Sequence, residues 1–317
     1  MYFIQYSPNL IFLRIQRDFF AKDIYMNNKT IIFLSAAAMC VISGIQFSVM
    51  HSALSSISPL GFLWLRFLFA FLSAFLFAGI RNIRLLTDKT VLILSVIHPV
   101  SAFYFQSLAA SQAEVYVTSV ITALSPAVIS LMAFISGREK LTVRMWFYIT
   151  LIVSGGVICA GSPGNFGKFF SPAGLYILLS VILRGLYYVR AGQMTKSISP
   201  ASLSFSQITY AFIIYSVLFL LSGEKLPPLT DFAPLDILKI AYMGVFATTA
   251  AYFINNFLLK SISLSANGAI TALTFVVSLL SAAFLSGEEI RMSVIIGSAV
   301  VIVGITLLMR EKSKSFK

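Results

Sequence analysis

The residues able to do chemistry are few, and most sit inside apolar runs. Arg184 lies about 12 residues into the run that begins near Pro172. That spacing carries it about 18 Å along a helix axis. A central Arg costs about 2.5–3.5 kcal/mol on insertion scales, and no Asp or Glu occurs at comparable depth in any apolar run. Arg184 therefore bonds backbone carbonyls, snorkels towards the end where Arg190 lies, faces water, or receives the anionic group of a ligand. In the last case the ligand carries a carboxylate. Arg66 stands about six residues from the outer end of its run, close enough to snorkel.

The amides of Gln46, Gln106, Asn255, Asn256 and Asn267 must find hydrogen bonds in hydrocarbon. Contacts between helices satisfy them, and so does a shared central cavity. His98 precedes Pro99, which makes it either a proton site beside a kink or a neutral imidazole bonded to a neighbour. Tyr104, Tyr187, Tyr188 and Tyr252 suit an aromatic wall around an organic ligand as well as ordinary packing. Glu114 opens an apolar run, where a negative charge caps a helix N-terminus. Cys40 and Cys159, the only cysteines, lie in apolar runs and read as buried thiols rather than a disulfide framework.

The composition says what kind of element must position these groups. The 317 residues are 58% hydrophobic and 11% charged, against about 25% charged in soluble domains. Disorder is excluded by the same apolar excess. Ten runs reach the length of about 20 residues that a spanning helix needs. They cover about 30–50, 60–79, 90–110, 114–136, 143–161, 172–190, 201–222, 236–259, 264–286 and 291–309. The expected class is an all-α integral membrane protein with ten transmembrane helices. Barrel strands would alternate strictly, and Leu68-Phe69-Ala70-Phe71-Leu72 does not. No link is long enough for a soluble catalytic domain.

The formal charge of +12 would suggest nucleic acid in a soluble protein. Here the basic residues are separated by apolar runs, and ten spans sort them by side. Seventeen of 23 fall on the side of the termini, whereas Lys168, Lys225, Lys239 and Arg291 fall opposite. Only Arg66 and Arg184 lie away from the ends of the spans. The charge is mainly an orientation signal and places both termini in the cytoplasm. Residues 1–29 form a basic N-terminal segment with a short apolar run; an interfacial helix and translation from Met26 are both compatible with it. Residues 311–317 form a basic tail.

The halves 30–162 and 171–310 resemble each other. Ser56-Ile57-Ser58-Pro59 is matched by Ser197-Ile198-Ser199-Pro200, 141 positions on, and the same offset places Arg66 on Gln207. Ile121-Thr122-Ala123-Leu124 is matched by Ile270-Thr271-Ala272-Leu273, 149 positions on, which places Gln106 on Asn255. Glu139 meets Glu289 at an offset of 150. Five spans per half is an odd number, so the second copy enters the membrane inverted, as in many secondary transporters.

On these residues the chain resembles the EamA-type transporters of the drug/metabolite transporter superfamily. The resemblance rests on Ser58-Pro59 with Arg66, on Leu124-Ser125-Pro126, and on Gly137-Arg138-Glu139 with Gly287-Glu288-Glu289. Glycine-bearing last helices complete it, with Gly155, Gly156, Gly297 and Gly304. It covers about 30–310. One departure is Leu273-Thr274-Phe275, which lacks a counterpart of Pro126 and so predicts a straighter ninth helix.

The resemblance implies a carrier of amino acids or similar small metabolites in the inner membrane, with export favoured. It assigns structural motif roles to Pro59, Arg66, Pro126, Glu139 and Glu289. The candidate substrate-binding residues are Arg184, Gln106, Asn255, Gln46, Tyr187 and His98. A flippase for a lipid-linked or amphipathic substrate is the alternative. No metal motif, phosphate loop or catalytic carboxylate pair occurs. The expected partners are therefore a small-molecule substrate and the bilayer, without nucleic acid, cofactor or enzymatic activity. Oligomeric state is open.

Overall fold

The computed structural model describes residues 28–78, 88–137, 140–160, 167–194, 198–226, 228, 233–261, 264–289 and 291–315. The N-terminal segment with Met26, the motif residue Glu139 and the side chain of Asn267 lie outside the described residues.

The described residues form ten long helical segments. In the first half α1 is Asn28–Ala53, α2 Pro59–Ala78 and α5 Val143–Ala160. Between them, α3 runs Lys89–Ser95, through a π-helical stretch Val96–Ser101, into Ala102–Ala110, and α4 is split into Val115–Ala123 and Ser125–Ile135. In the second half α6 is Pro172–Met194, α7 Pro200–Ser222, α9 Leu264–Ser286 and α10 Met292–Ser315. Here α8 runs Pro234–Gly244, through π-helical Val245–Ala250, into Ala251–Ser261. Eight helices are long and apolar enough to cross a membrane. The other two, α5 and α9, hold shorter apolar stretches, Val143–Cys159 and Leu273–Ser286. The chain is a multi-pass membrane protein.

Local chemistry explains the shared motifs. Ser58 Oγ accepts the Gly61 N–H at 3.1 Å, and Ser199 Oγ accepts the Ser202 N–H at 3.1 Å. Each serine caps a helix whose first residue is a proline. Gly137 and Gly287 both have φ 67°, the left-handed geometry that ends α4 and α9. Pro126 has no N–H to continue the preceding turn, and α4 breaks at Leu124. Phe275 occupies the equivalent place in α9, which runs unbroken. The straighter ninth helix expected from that departure is what the structure has.

The repeat is visible in the backbone. Ala53 and Met194 end α1 and α6 at an offset of 141, and Pro59 and Pro200 start α2 and α7 at the same offset. The two π-helical stretches, the starts of α4 and α9, and the starts of α5 and α10 are all 149 apart. Packing follows the same exchange. The contact of α1 with α9 is matched by α6 with α4, and that of α2 with α8 by α7 with α3. The most extensive contact is α5 with α10. There a Cβ on Gly155 would lie 2.8 Å from the Gly297 oxygen, and one on Gly297 would lie 2.5 Å from the Gly155 oxygen. Only glycine permits that approach.

Candidate functional site

Proline disfavours helical backbone in the residue before it. His98 accordingly adopts φ −151°, ψ 116°, and α3 opens. The second half supplies partners for the carbonyls around the break. Gln207 Nε2 donates to the His98 oxygen at 3.4 Å, and the Tyr215 hydroxyl donates to the Val100 oxygen at 2.6 Å. The buried imidazole joins its Nδ1 to the Tyr252 hydroxyl at 2.8 Å. It stacks on Tyr187 and Tyr252, with ring centroids 4.8 and 5.7 Å away, and meets Phe103 edge-on at 5.1 Å. Tyr187 in turn donates to Gln207 Oε1 at 3.1 Å. The His98 imidazole is thus bonded to a neighbour beside the break.

A counterpart adjoins it through the shared Phe103 ring. Arg66 Nε donates to Thr248 Oγ1 at 2.8 Å, and Nη2 donates to the Ala247 oxygen at 3.3 Å. Its guanidinium lies 4.3 Å over the Phe103 ring. Under the repeat Arg66 maps to Gln207 and Ala247 maps to His98. Each second helix of a half thus donates a side-chain bond to the irregular turn of the other half's third helix. Arg66 has no exposed surface, so it does not snorkel.

Arg184 is half-buried on α6, and its Nε is buried with no hydrogen-bond partner among the described residues. It stands one turn before Tyr187 and Tyr188 on the same helix, so the three share a face. Tyr188 donates to Asn255 Oδ1 at 3.2 Å. Asn256 Nδ2 donates to Ser204 Oγ at 2.8 Å. Gln106 is 1% exposed, and neither amide atom has a partner among the described residues. Gln46 is half-buried on α1. No bond joins Gln106 to Asn255, although the repeat equates them. Of the four candidate wall tyrosines, Tyr187, Tyr188 and Tyr252 gather here, whereas Tyr104 is exposed.

A second polar cluster lies at one end of the bundle. Glu114 occupies the N-cap position of α4 but makes no side-chain cap bond. Instead it pairs with Lys168 at 2.8 Å. The cap comes from the other half: Glu288 accepts the N–H groups of Val115 and Tyr116 at 2.5 and 2.9 Å. This corrects the reading of Glu114, whose carboxylate is drawn to the nearer cation. Partial burial raises the Glu288 carboxyl above its usual value, and the two N–H bonds offset part of that rise. The motif residue Glu289 is exposed. These groups, with Cys159, Arg291 and Val294, line a crevice of about 150 Å³. A second, apolar groove runs along α5 past Trp146 and Val153. Neither is lined by Arg184, Gln106 or Asn255.

Sequence reasoning did not assign Gln207, Tyr215, Thr248 or Glu288. Gln207 was within reach, since it stands at Arg66's place in the repeat. The others depend on contacts between distant helices and leave no local signal.

A helical membrane bundle made of two matching halves, with unpaired polar groups buried where they meet, has the build of a small-molecule transporter. The chain belongs to the EamA-like transporter family, whose pattern matches residues 30–160 and again 171–310. Among 28 matching chains of solved structures is a crystal structure that superposes with a TM-score of 0.63. It is 16% identical over 89% of this chain and 99% of the other. That likeness shows the fold. No curated protein matches the chain.

Proposed function

We propose that the protein is a secondary transporter that moves small carboxylate-bearing metabolites, amino acids or similar compounds, by alternating access across the inner membrane. Arg184 carries this reading: a guanidinium group beside the junction of the halves with a buried Nε that nothing in the described protein satisfies. A cargo carboxylate fits it bidentately. Five helices per half reverse the second copy relative to the first, and exchange between two inverted halves opens a site between them to either side. The split of basic residues supports cytoplasmic termini. The family resemblance favours export.

The test starts by comparing metabolites in cells with and without the protein, then measures counterflow of the candidates in liposomes. The expected cargo is a water-soluble carboxylate, and Arg184→Gln lowers its rate or apparent affinity. A variant equal to the parent in both would remove the ligand role of Arg184. Movement of labelled lipid alone would instead support a flippase.

A further inference from the structure

Polar groups fasten α9 to the first half at three levels. Ser281 Oγ lies 2.9 Å from Ser48 Oγ of α1 and 3.2 Å from the Gly44 oxygen. One turn earlier on α9, Ser278 Oγ is hydrogen-bonded to Ser119 Oγ of α4. Just past the end of α9, Glu288 accepts the Val115 and Tyr116 N–H groups that open α4. The matching contact of α6 with α4 is built differently. Under the repeat the places of Ser48, Ser278 and Ser281 hold the apolar Val189, Ile129 and Met132. The place of Glu288 holds Arg138, whose side chain has no acceptor. Those residues cannot repeat the fastening, so it belongs to one end of the molecule.

The fastening can be undone without stranding a polar group. The Ser281 hydroxyl has the Ser278 oxygen of its own helix at 2.8 Å, an acceptor that travels with α9. Serine hydroxyls bond to the preceding turn in this way, so a rung between two helices can be exchanged for a bond within one. Glu288 stands in the link after α9 and is half-buried, so a short movement returns it to water. The N–H groups it releases belong to the first turn of α4, where water can replace it. The crevice of about 150 Å³ at this place is lined by Glu114, Lys168, Glu288 and Cys159, with Cys159 only 2% exposed. Parting α9 from α4 here opens that crevice between the halves. In a bundle whose helices each cross once, the start of α4 and the end of α9 lie on the side away from the termini.

Resting on the transporter reading, we infer that Glu288 and the Ser278 and Ser281 rungs form a releasable clasp that shuts one end of the path between the halves. The structure holds the clasp closed. Its release frees α9 from α4 and α1 together and admits water and cargo past Cys159.

The experiment places the full chain in lipid nanodiscs, which expose both faces, with Cys40→Ala leaving Cys159 as the only thiol. A charged thiosulfonate that does not enter lipid then reports opening by its rate of reaction with Cys159. The parent should react slowly. Glu288→Ala should react about tenfold faster, the shift expected when bonds to a charged group are lost from the closed state alone. Glu288→Gln keeps one acceptor and should fall between. Ser48→Ala decides the matter, because Ser48 lies on α1 and does not line the crevice. It should speed the reaction about threefold, the worth of an average hydrogen bond between membrane helices. Melting temperatures in detergent show that each variant is folded, and the conservative Ser48→Ala keeps the test open should Glu288→Ala not fold. A Ser48→Ala rate equal to the parent's would make Glu288 a local cover for Cys159 and overturn the clasp. Counterflow of the cargo is measured alongside. Unchanged reaction rates in a chain that exchanges cargo overturn the clasp and leave the transporter reading standing. Faster reaction in variants of a chain that moves no metabolite supports the clasp and removes the transporter reading.

Discussion

The two halves use one backbone device with different side-chain chemistry. In each, the third helix turns irregular at the same place, Val96–Ser101 in α3 and Val245–Ala250 in α8. In each, the second helix of the opposite half donates a hydrogen bond to that turn. The first half donates from the charged Arg66, which also holds Thr248; the second donates from the neutral Gln207, which also receives Tyr187. His98-Pro99 opens α3, whereas α8 has no proline in its turn. The irregular turn is therefore not simply a product of proline. Its common feature is a polar donor docked from across the molecule, and the asymmetry in charge distinguishes the two sides of the centre.

The comparison is broken most directly at the donors. Arg66→Ala removes two hydrogen bonds and a cation–π contact from a fully buried position, and should cost about 3 kcal/mol or more, since bonds to charged groups contribute about 1.5–3 kcal/mol. Gln207→Ala removes longer, neutral bonds and should cost about 1 kcal/mol. Thermal unfolding of both variants in detergent checks the order. Equal losses would show that the charge of Arg66 adds nothing to its docking.

A smaller difference is expected at the first helices of the halves. Gly44 and Gly185 are equivalent, yet a Cβ on Gly44 would collide with the Val277 side chain, whereas one on Gly185 would meet Val128 Cγ1 at 3.3 Å. Gly44→Ala should cost about 1–3 kcal/mol through overpacking. Gly185→Ala should be close to neutral, because alanine offsets the crowding with a helix preference of about 0.5–1 kcal/mol. Melting temperatures of the two variants sharpen or erase this distinction between the α1–α9 and α6–α4 contacts.

The smallest effect belongs to Glu288, the carboxyl from the second half that caps α4 of the first. Its value is raised in the folded protein, so the fold binds its proton more tightly than the unfolded chain does. Stability from this group is present below its ordinary value of 4.5 and declines as pH rises through the raised value. Against Glu288→Gln, the parent should lose about 1–2 °C of melting temperature as pH rises from 4.5 to 8, a fraction of a kcal/mol in a chain this size. Parallel curves would show that burial does not perturb the group.

Much of this organisation is legible in the sequence. The contrast between α4, broken at Pro126, and the unbroken α9 follows from a proline present in one half and missing from the other, whereas the serine caps at Ser58 and Ser199 and the left-handed glycines at 137 and 287 emerge from the structure. The repeat appeared as drifting tetrapeptide matches. Its offsets of 141 and 149 then reappear as helix boundaries. The site was legible in kind but not in partners. Arg184 and the tyrosines stood out because charge and hydroxyl groups are conspicuous in hydrocarbon. Glu114 misled because its position fits a cap, while the capping carboxylate comes from more than 170 residues away.

Sequence alone determined the membrane class, the doubled architecture and the family resemblance, because apolar length, charge sorting and turn chemistry are written into neighbouring residues. Tertiary structure decided which polar groups satisfy one another. It docked Arg66 on α8 and Gln207 on α3, drew Tyr252 to His98, took Glu114 from its cap to Lys168, and left Arg184 Nε and the Gln106 amide without partners among the described residues. Those outcomes depend on which helix faces meet. In an apolar medium every face is greasy enough to pack, so only the three-dimensional fit of donors to freed carbonyls selects among them.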